Sequence, residues 1–306
     1  MPAADDRRAR APETCPSFLD VAGETFAYLA AGPEDGALVV CLHGFPDHAE
    51  SFRPLLARLA GAGYRAVAPW MRGYAPSTPA GPYHGEQLAD DALAIARALA
   101  GGRRFALIGH DWGALATWSA CAREPADLAC AVTIAVPHPL ATAAHIARRP
   151  SQLRRSWYVF FFQLPRLPER ALSRRDLALV DRLWRDWSPG FRLADSARRR
   201  LHTCLAASMP APIEYYRAIP RQLLGVGRRS RDARPAIARR RIATPVLHLH
   251  GADDGCIEPA AAARQARFMK GPFRCEIVER AGHFLHLEQP EATAAEVLGW
   301  LRAHHP

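Results

Sequence analysis

The sequence predicts an α/β protein: a mostly parallel central sheet flanked by helices, with a helical segment inserted between two of the strands. Three observations predict it. Short, continuous apolar runs recur at 38–42, 64–69, 105–108, 128–136 and 245–250, as strands buried on both faces require. Stretches of helical length and period stand between the first four, and such alternation implies a parallel sheet covered on both sides. The alternation stops at Pro137-His138-Pro139 and resumes only at Pro245, leaving a long arginine-rich stretch without strand signals.

The elements follow in order. Residues 1–16 are polar, without the apolar centre of a secretory leader, and read as a disordered lead. Phe18 to Val21 and Thr25 to Leu29, joined by Ala22-Gly23-Glu24, predict a hairpin. Leu38 to Leu42 predicts a central strand running into His43-Gly44-Phe45-Pro46-Asp47. Loops at the carboxyl ends of strands are where open α/β sheets bind ligands. A helix from about Ser51 carries Phe52, Leu55, Leu56 and Leu59 on one face, with Gly61 and Gly63 at its end. Tyr64 to Pro69 predicts a strand followed by the loop Met71-Arg72-Gly73-Tyr74. Leu88, Ala92, Ile95 and Leu99 recur at helical spacing, predicting a helix over 86–100.

The strand at 105–108 leads through a tight turn into a helix beginning near Ala114, and 128–136 predicts another strand. Residues 138–241 then read as a helical domain, with amphipathic pieces such as Leu177, Val180, Leu183 and Trp184, an aromatic run from Trp157 to Phe162, and the pair Tyr215-Tyr216. Residues 1–137 and 242–306 make up the sheet-bearing core. Its second part comprises a strand at 245–250, a helix at 260–269, a strand at 274–278, the loop Gly282-His283-Phe284, and a last helix from Pro290 with Val297, Trp300 and Leu301 inward.

Composition excludes several classes. The 306 residues suffice for one large domain with an insertion, and 49% hydrophobic content is that of a globular protein. The net charge of +10 raises the question of a nucleic-acid partner. The charge is almost all arginine, however, with Lys270 the sole lysine, and neither zinc-finger spacing nor aromatic-basic alternation accompanies it. A solvated basic face is the simpler reading, with no nucleic-acid partner. The seven cysteines, Cys15, Cys41, Cys121, Cys130, Cys204, Cys256 and Cys275, are odd in number and lack metal-site spacing, and no run is long enough to span a membrane. These features predict a cytoplasmic protein with no metal, no cofactor and no membrane association, as a monomer or homodimer.

The chemistry centres on Gly109-His110-Asp111-Trp112-Gly113, between the strand at 105–108 and the following helix. A strand-turn-helix with glycine two residues either side of a reactive side chain is a nucleophile elbow. Here the central residue is Asp111, whose carboxylate can attack a saturated carbon; the plain alternative is that it caps the helix. The ester so formed must be hydrolysed, which requires a base and a partner to orient it. Gly251-Ala252-Asp253-Asp254 places a carboxylate just past a strand, and its spacing to Pro259 favours Asp254 over Asp253. His283, in the loop after the last strand, is the candidate base, whereas His248, His250 and His286 sit in apolar segments and read as structural. The backbone N–H groups of Phe45 and Trp112 are placed to form an oxyanion hole.

These motifs resemble the α/β-hydrolase fold, and within it the epoxide hydrolase and haloalkane dehalogenase branch. The similarity spans nearly the whole chain. It implies that the helical segment is a cap domain and that two cap tyrosines hydrogen-bond an epoxide oxygen. Tyr158 matches the first by its distance from Phe162-Gln163, and Tyr216, followed by Arg217, matches the second. After Gln163 the sequence departs from the family, with Leu164-Pro165-Arg166-Leu167 in place of a proline-glycine segment. The resemblance implies a small-molecule epoxide and water as reactants, with His43, Phe45, Pro46, Trp112, Tyr158 and Tyr216 around the substrate. A haloalkane dehalogenase would use the same Asp, His and acid, but often carries Asn where Phe45 stands. A fluoroacetate-type dehalogenase would place arginines where Trp112 and Leu115 stand. A non-catalytic ligand-binding protein on the same fold would have no need of a base positioned for water.

Overall fold

A computed structural model describes residues 15–78, 80–174, 176–223, 236–238 and 241–306. Most of the polar lead read at 1–16, and part of the inserted segment, lie outside the described residues. Eight strands form one sheet: β1 (Ser17–Val21), β2 (Glu24–Ala31), β3 (Leu38–Leu42), β4 (Arg65–Pro69), β5 (Phe105–His110), β6 (Leu128–Ile134), β7 (Val246–Gly251) and β8 (Phe273–Val278). Their spatial order is β1-β2-β4-β3-β5-β6-β7-β8. The β1–β2 hairpin and the β2–β4 pairing are antiparallel; every pairing from β4 to β8 is parallel.

The apolar runs become strands because both faces of the sheet are covered. Every residue of β3, β5, β6 and β7 is buried. Removing a side chain such as Leu107 or Ile108 from water stabilises the fold by about 1.5–3 kcal/mol each. The covering helices are α1 (Arg53–Gly61), α2 (Gly85–Ala100) and α3 (Trp112–Cys121). In α2, Leu88, Ala92, Ile95 and Ala96 are buried, while Glu86, Asp90 and Arg97 lie on its outer side. His84 accepts the Gln87 N–H at the start of α2, and Gly101, at φ 57°, ends it in a left-handed turn. Helix α3 is apolar on all sides and correspondingly buried, with Trp118 fully enclosed.

Between β6 and β7 the described residues form seven helices and a short 3-10 turn, with no strand: α4 (Pro139–Ile146), α5 (Pro150–Arg155), α6 (Trp157–Phe161), α7 (Leu167–Ser173), α8 (Ala178–Trp187), α9 (Asp195–Ser208) and α10 (Ala211–Leu223). The amphipathic stripe read at Leu177, Val180, Leu183 and Trp184 is the buried side of α8. Trp184 stacks on Phe284 with ring centroids 3.5 Å apart and donates from Nε1 to the Pro46 carbonyl at 2.8 Å. Helix α8 is thereby tied to loops at the carboxyl edge of the sheet. Several arginines of this segment are paired: Arg198 with Asp181, and Arg217 with Glu169 and Glu214. The chain closes with α11 (Leu285–Glu288) and α12 (Pro290–His304).

Two elements differ from expectation. The strand read at 128–136 ends at Ile134, because Ala135 adopts φ 66° and turns the chain out of the sheet. The helix read over 260–269 is instead a 3-10 segment, Pro259–Phe268, broken at Arg264. Buried Gln265 accepts the His138 N–H at 3.1 Å, so docking against the start of α4 competes with helical propensity here. No helix among the described residues is long and apolar enough to cross a membrane, and all seven cysteines are unpaired thiols.

Candidate active site

The topology gathers the singled-out residues at one edge. Asp111 follows β5 and Phe45 lies in the loop after its neighbour β3. Asp254 follows β7 and His283 follows β8, so all four stand at the carboxyl ends of parallel strands.

Asp111 sits at φ 52°, ψ −115°, a conformation that costs on the order of 1–3 kcal/mol for a non-glycine residue and persists only where surrounding structure imposes it. The flanking glycines are the imposed geometry. A Cβ on Gly109 would stand 2.1 Å from the Gly113 carbonyl oxygen, and one on Gly113 would stand 2.0 Å from that of Leu42. The carboxylate makes no capping bond to α3; its Oδ1 instead accepts the Phe45 N–H at 2.8 Å.

Asp254 Oδ1 accepts the N–H groups of Cys256 (2.7 Å) and Ile257 (3.0 Å), and its Oδ2 lies 2.9 Å from His283 Nδ1. It caps no helix. His283 Nε2 stands 3.6 Å from Asp111 Oδ2 and has no hydrogen-bond partner among the described residues. The Trp187 carbonyl, at the end of α8, accepts both the Gly255 and His283 N–H groups and so ties the acid loop to the imidazole loop. Glu288 accepts the N–H groups of Gly282 and Phe284, bracing the imidazole loop from the other side.

The electrostatics follow from this enclosure. Burial opposes a proton on His283, but the carboxylates of Asp254 and Asp111 outweigh it and push the imidazole up to about 10. Burial likewise opposes charge on Asp254, yet His283 and the loop N–H groups hold its carboxyl below the ordinary range.

Tyr158, from α6, and Tyr216, from α10, are both buried and pack edge-on, with ring centroids 5.6 Å apart. Tyr216 also stands edge-on to Trp112 and Phe45, at 5.1 and 5.5 Å. Its hydroxyl has no hydrogen-bond partner among the described residues, whereas the Tyr158 hydroxyl lies 3.3 Å from Cys256 Sγ. Burial, reinforced by negative charge including that of Asp111, holds both phenols well above their ordinary pKa, so both remain proton donors.

The sequence pattern of the alpha/beta hydrolase family matches residues 39–296. Epoxide hydrolase 3 of Xenopus tropicalis is 30% identical over 279 residues, which span 88% of this chain and 72% of that protein. This chain belongs to the alpha/beta hydrolase family, in its epoxide hydrolase branch. Epoxide hydrolase 4 of Mus musculus is also 30% identical, over 92% of this chain and 77% of its own. The crystal structure of epoxide hydrolase A from Mycobacterium thermoresistibile shares the fold at a TM-score of 0.77 with 24% identity, covering 96% of this chain and 99% of that one.

In this alpha/beta hydrolase the remaining residues singled out from sequence brace the site. His43 is fully buried; its Nδ1 donates to the Gly44 carbonyl and its Nε2 accepts the Met71 N–H, both at 3.0 Å. Neither ring nitrogen is left over for a ligand. Pro46 holds Trp184 through its carbonyl. Asp253 is not drawn into the pairing; its neighbour Asp254 is. Of the three histidines read as structural, His250 comes within 3.4 Å of Asp254 Oδ2 and donates to the Ile257 carbonyl, so it supports the acid loop.

The sequence reading missed the shell behind the imidazole. His110 donates from Nε2 to the His283 carbonyl at 3.0 Å, and Ser51 donates to Asp47 at 2.7 Å. Asp47, His110 and His286 bring ligand-type atoms within 4.8 Å of one another, as do Asp254, Cys256 and His283. Burial pushes Asp47 up to about 7, against the charged form a cation requires. In the second group Asp254 is already engaged by the imidazole and two N–H groups. Cys256 was also missed. Its only sequence signal is its place two residues after Asp254.

Proposed function

We propose that this protein is an epoxide hydrolase, converting a small-molecule epoxide and water to a vicinal diol through an ester on Asp111. The observation that carries the reading is the joint placement of Asp111, paired with the Phe45 N–H, beside a His283–Asp254 pair and two buried phenol donors. Asp111 attacks a ring carbon while Tyr158 and Tyr216 donate to the oxygen as its carbon bond breaks. The alkoxide gains a proton and the ester forms. Esterification removes the Asp111 charge, one of the two that hold the proton on His283, so that proton is released to the alkoxide and the imidazole, now neutral, becomes able to act as a base. His283, oriented by Asp254, then takes a proton from water as its oxygen attacks the ester carbonyl. The Phe45 N–H, together with that of Trp112, meets the charge developing on the Asp111 oxygen. The diol leaves and Asp111 is restored.

In this reading, residues 138–241 act as a cap whose tyrosines complete the site, and His43 and Pro46 shape its floor. No cofactor is required. Seven unpaired thiols support a reducing, cytoplasmic setting. A dehalogenase would use the same nucleophile, but two phenol donors suit a developing alkoxide. Incubation with a panel of epoxides and haloalkanes separates the two. Diol formation without halide release is expected; halide release without epoxide opening would contradict the reading.

A further inference from the structure

We propose that Cys256 is a positioning residue for ring opening: its thiol donates a hydrogen bond to the Tyr158 hydroxyl oxygen, leaving the phenol proton to face the epoxide oxygen. The inference rests on the epoxide hydrolase reading above and adds a residue to it.

The geometry comes first. Cys256 Sγ lies 3.3 Å from Tyr158 Oη, and both residues are buried. The thiol is the hydrogen-bond partner of that hydroxyl among the described residues. Cys256 is also held at both ends of its backbone. Its N–H donates to Asp254 Oδ1 at 2.7 Å, and its carbonyl accepts Gln152 Nε2 at 2.8 Å. Gln152, itself buried on α5, also accepts the Glu258 N–H at 2.9 Å. The loop that supplies the acid therefore also fixes the sulfur against the tyrosine.

The direction of the hydrogen bond follows from the inventory of protons. A phenol has one hydrogen and two acceptor positions. When that hydrogen turns to an epoxide oxygen, the phenol oxygen gains negative charge and requires a donor behind it. The S–H group is in place to be that donor, and burial holds the thiol well above its ordinary pKa, so its proton stays on sulfur. If the phenol proton passes to the alkoxide, the tyrosinate is left accepting the S–H bond until the proton that His283 releases on esterification restores the phenol. Chains of this kind strengthen each member. The two tyrosines are thus unequal: Tyr158 is backed by a donor, whereas the Tyr216 hydroxyl has no hydrogen-bond partner among the described residues.

The test is a single-turnover, stopped-flow measurement with styrene oxide on the full-length wild type, Cys256→Ala, Cys256→Ser, Tyr158→Phe and the double variant Cys256→Ala/Tyr158→Phe. Ester formation in Cys256→Ala should slow about tenfold, the worth of one hydrogen bond felt in the transition state. Ester hydrolysis should stay within about twofold. Cys256→Ser, which keeps a donor, should recover most of the rate. In the Tyr158→Phe background, Cys256→Ala should cost no more than about twofold. Should Cys256→Ala fail to fold, Cys256→Val keeps bulk without a donor and serves in its place. Equal losses in Ala and Ser, or an undiminished loss without the phenol, would assign Cys256 to packing and overturn the inference. A wild type that forms the ester beside an equally fast Cys256→Ala would overturn the inference alone. A wild type that forms no ester from any epoxide would overturn the functional reading with it.

Discussion

The Phe45 N–H donates to Asp111 Oδ1 across 2.8 Å, joining the loop after β3 to the bend after β5. The bond orients the carboxylate so that its other oxygen, Oδ2, faces His283 Nε2. In the proposed mechanism the same N–H stays on Oδ1 when water adds to the ester, so one fixed donor would serve both steps without reorganisation.

Gly44 makes this approach possible. A Cβ there would stand 2.2 Å from Asp111 Oδ1 and 2.6 Å from the Trp112 N. Gly44→Ala should therefore displace the carboxylate and lower kcat at least about 10²-fold, as misplacements of this size do. Steady-state kinetics on a variant with an unchanged circular dichroism spectrum checks it.

Replacing the base should separate the two half-reactions. His283→Gln is expected to open the epoxide once and stall, because the nucleophile survives while water activation is lost. Turnover should fall by about 10²–10⁴-fold, the worth of a positioned base. Intact mass spectrometry should find one substrate mass added per chain; an unmodified chain with normal turnover would remove His283 from this role.

The protonation of His283 gives a pH prediction with a definite sign. Its folded pKa, about 10, is raised above the ordinary 6.5, so the stability it contributes is fully present below pH 6.5 and is lost as pH rises towards 10. Asp111→Asn removes one of the two carboxylates that raise it and should move the pKa down. Imidazole nitrogen NMR should show a doubly protonated ring at pH 8 in the free wild type and a shifted titration in the variant. The decline of Tm over the same pH window should be shallower in Asp111→Asn.

Tyr216→Phe removes a buried hydroxyl that has no hydrogen-bond partner among the described residues. With no protein partner lost among the described residues, Tm should change little. Ring opening should nonetheless slow by about 10²-fold through loss of a transition-state donor. A parallel fall in Tm and rate would instead mark Tyr216 as a packing residue.

These cases show where the sequence was legible. The elbow could be read because its constraints are local: Gly109, Asp111 and Gly113 lie within five residues, and the crowding that demands them comes from the turn itself and from the adjoining strand end. The placement of Asp111, Asp254 and His283 at strand ends was likewise carried by apolar runs and the loops that end them. The Tyr158–Cys256 contact was not legible, since it joins residues 98 positions apart on a helix and a loop whose approach is decided by packing. The same holds for Trp187, whose carbonyl, not its conspicuous indole, ties the acid loop to the imidazole loop. The 3-10 course of Pro259–Phe268 was hidden too, because an alanine-rich stretch advertises helix while the docking of Gln265 against the start of α4 is a tertiary matter.

The most direct test of the covalent route is a single turnover in heavy-oxygen water, with enzyme in excess over an epoxide, followed by mass analysis of the peptide bearing Asp111. Attack of water on the ester carbonyl predicts one heavy oxygen in the Asp111 carboxylate and a first diol carrying an unlabelled enzyme oxygen. Label in the diol with none in Asp111 would mean that water attacks the epoxide directly, and would contradict the account.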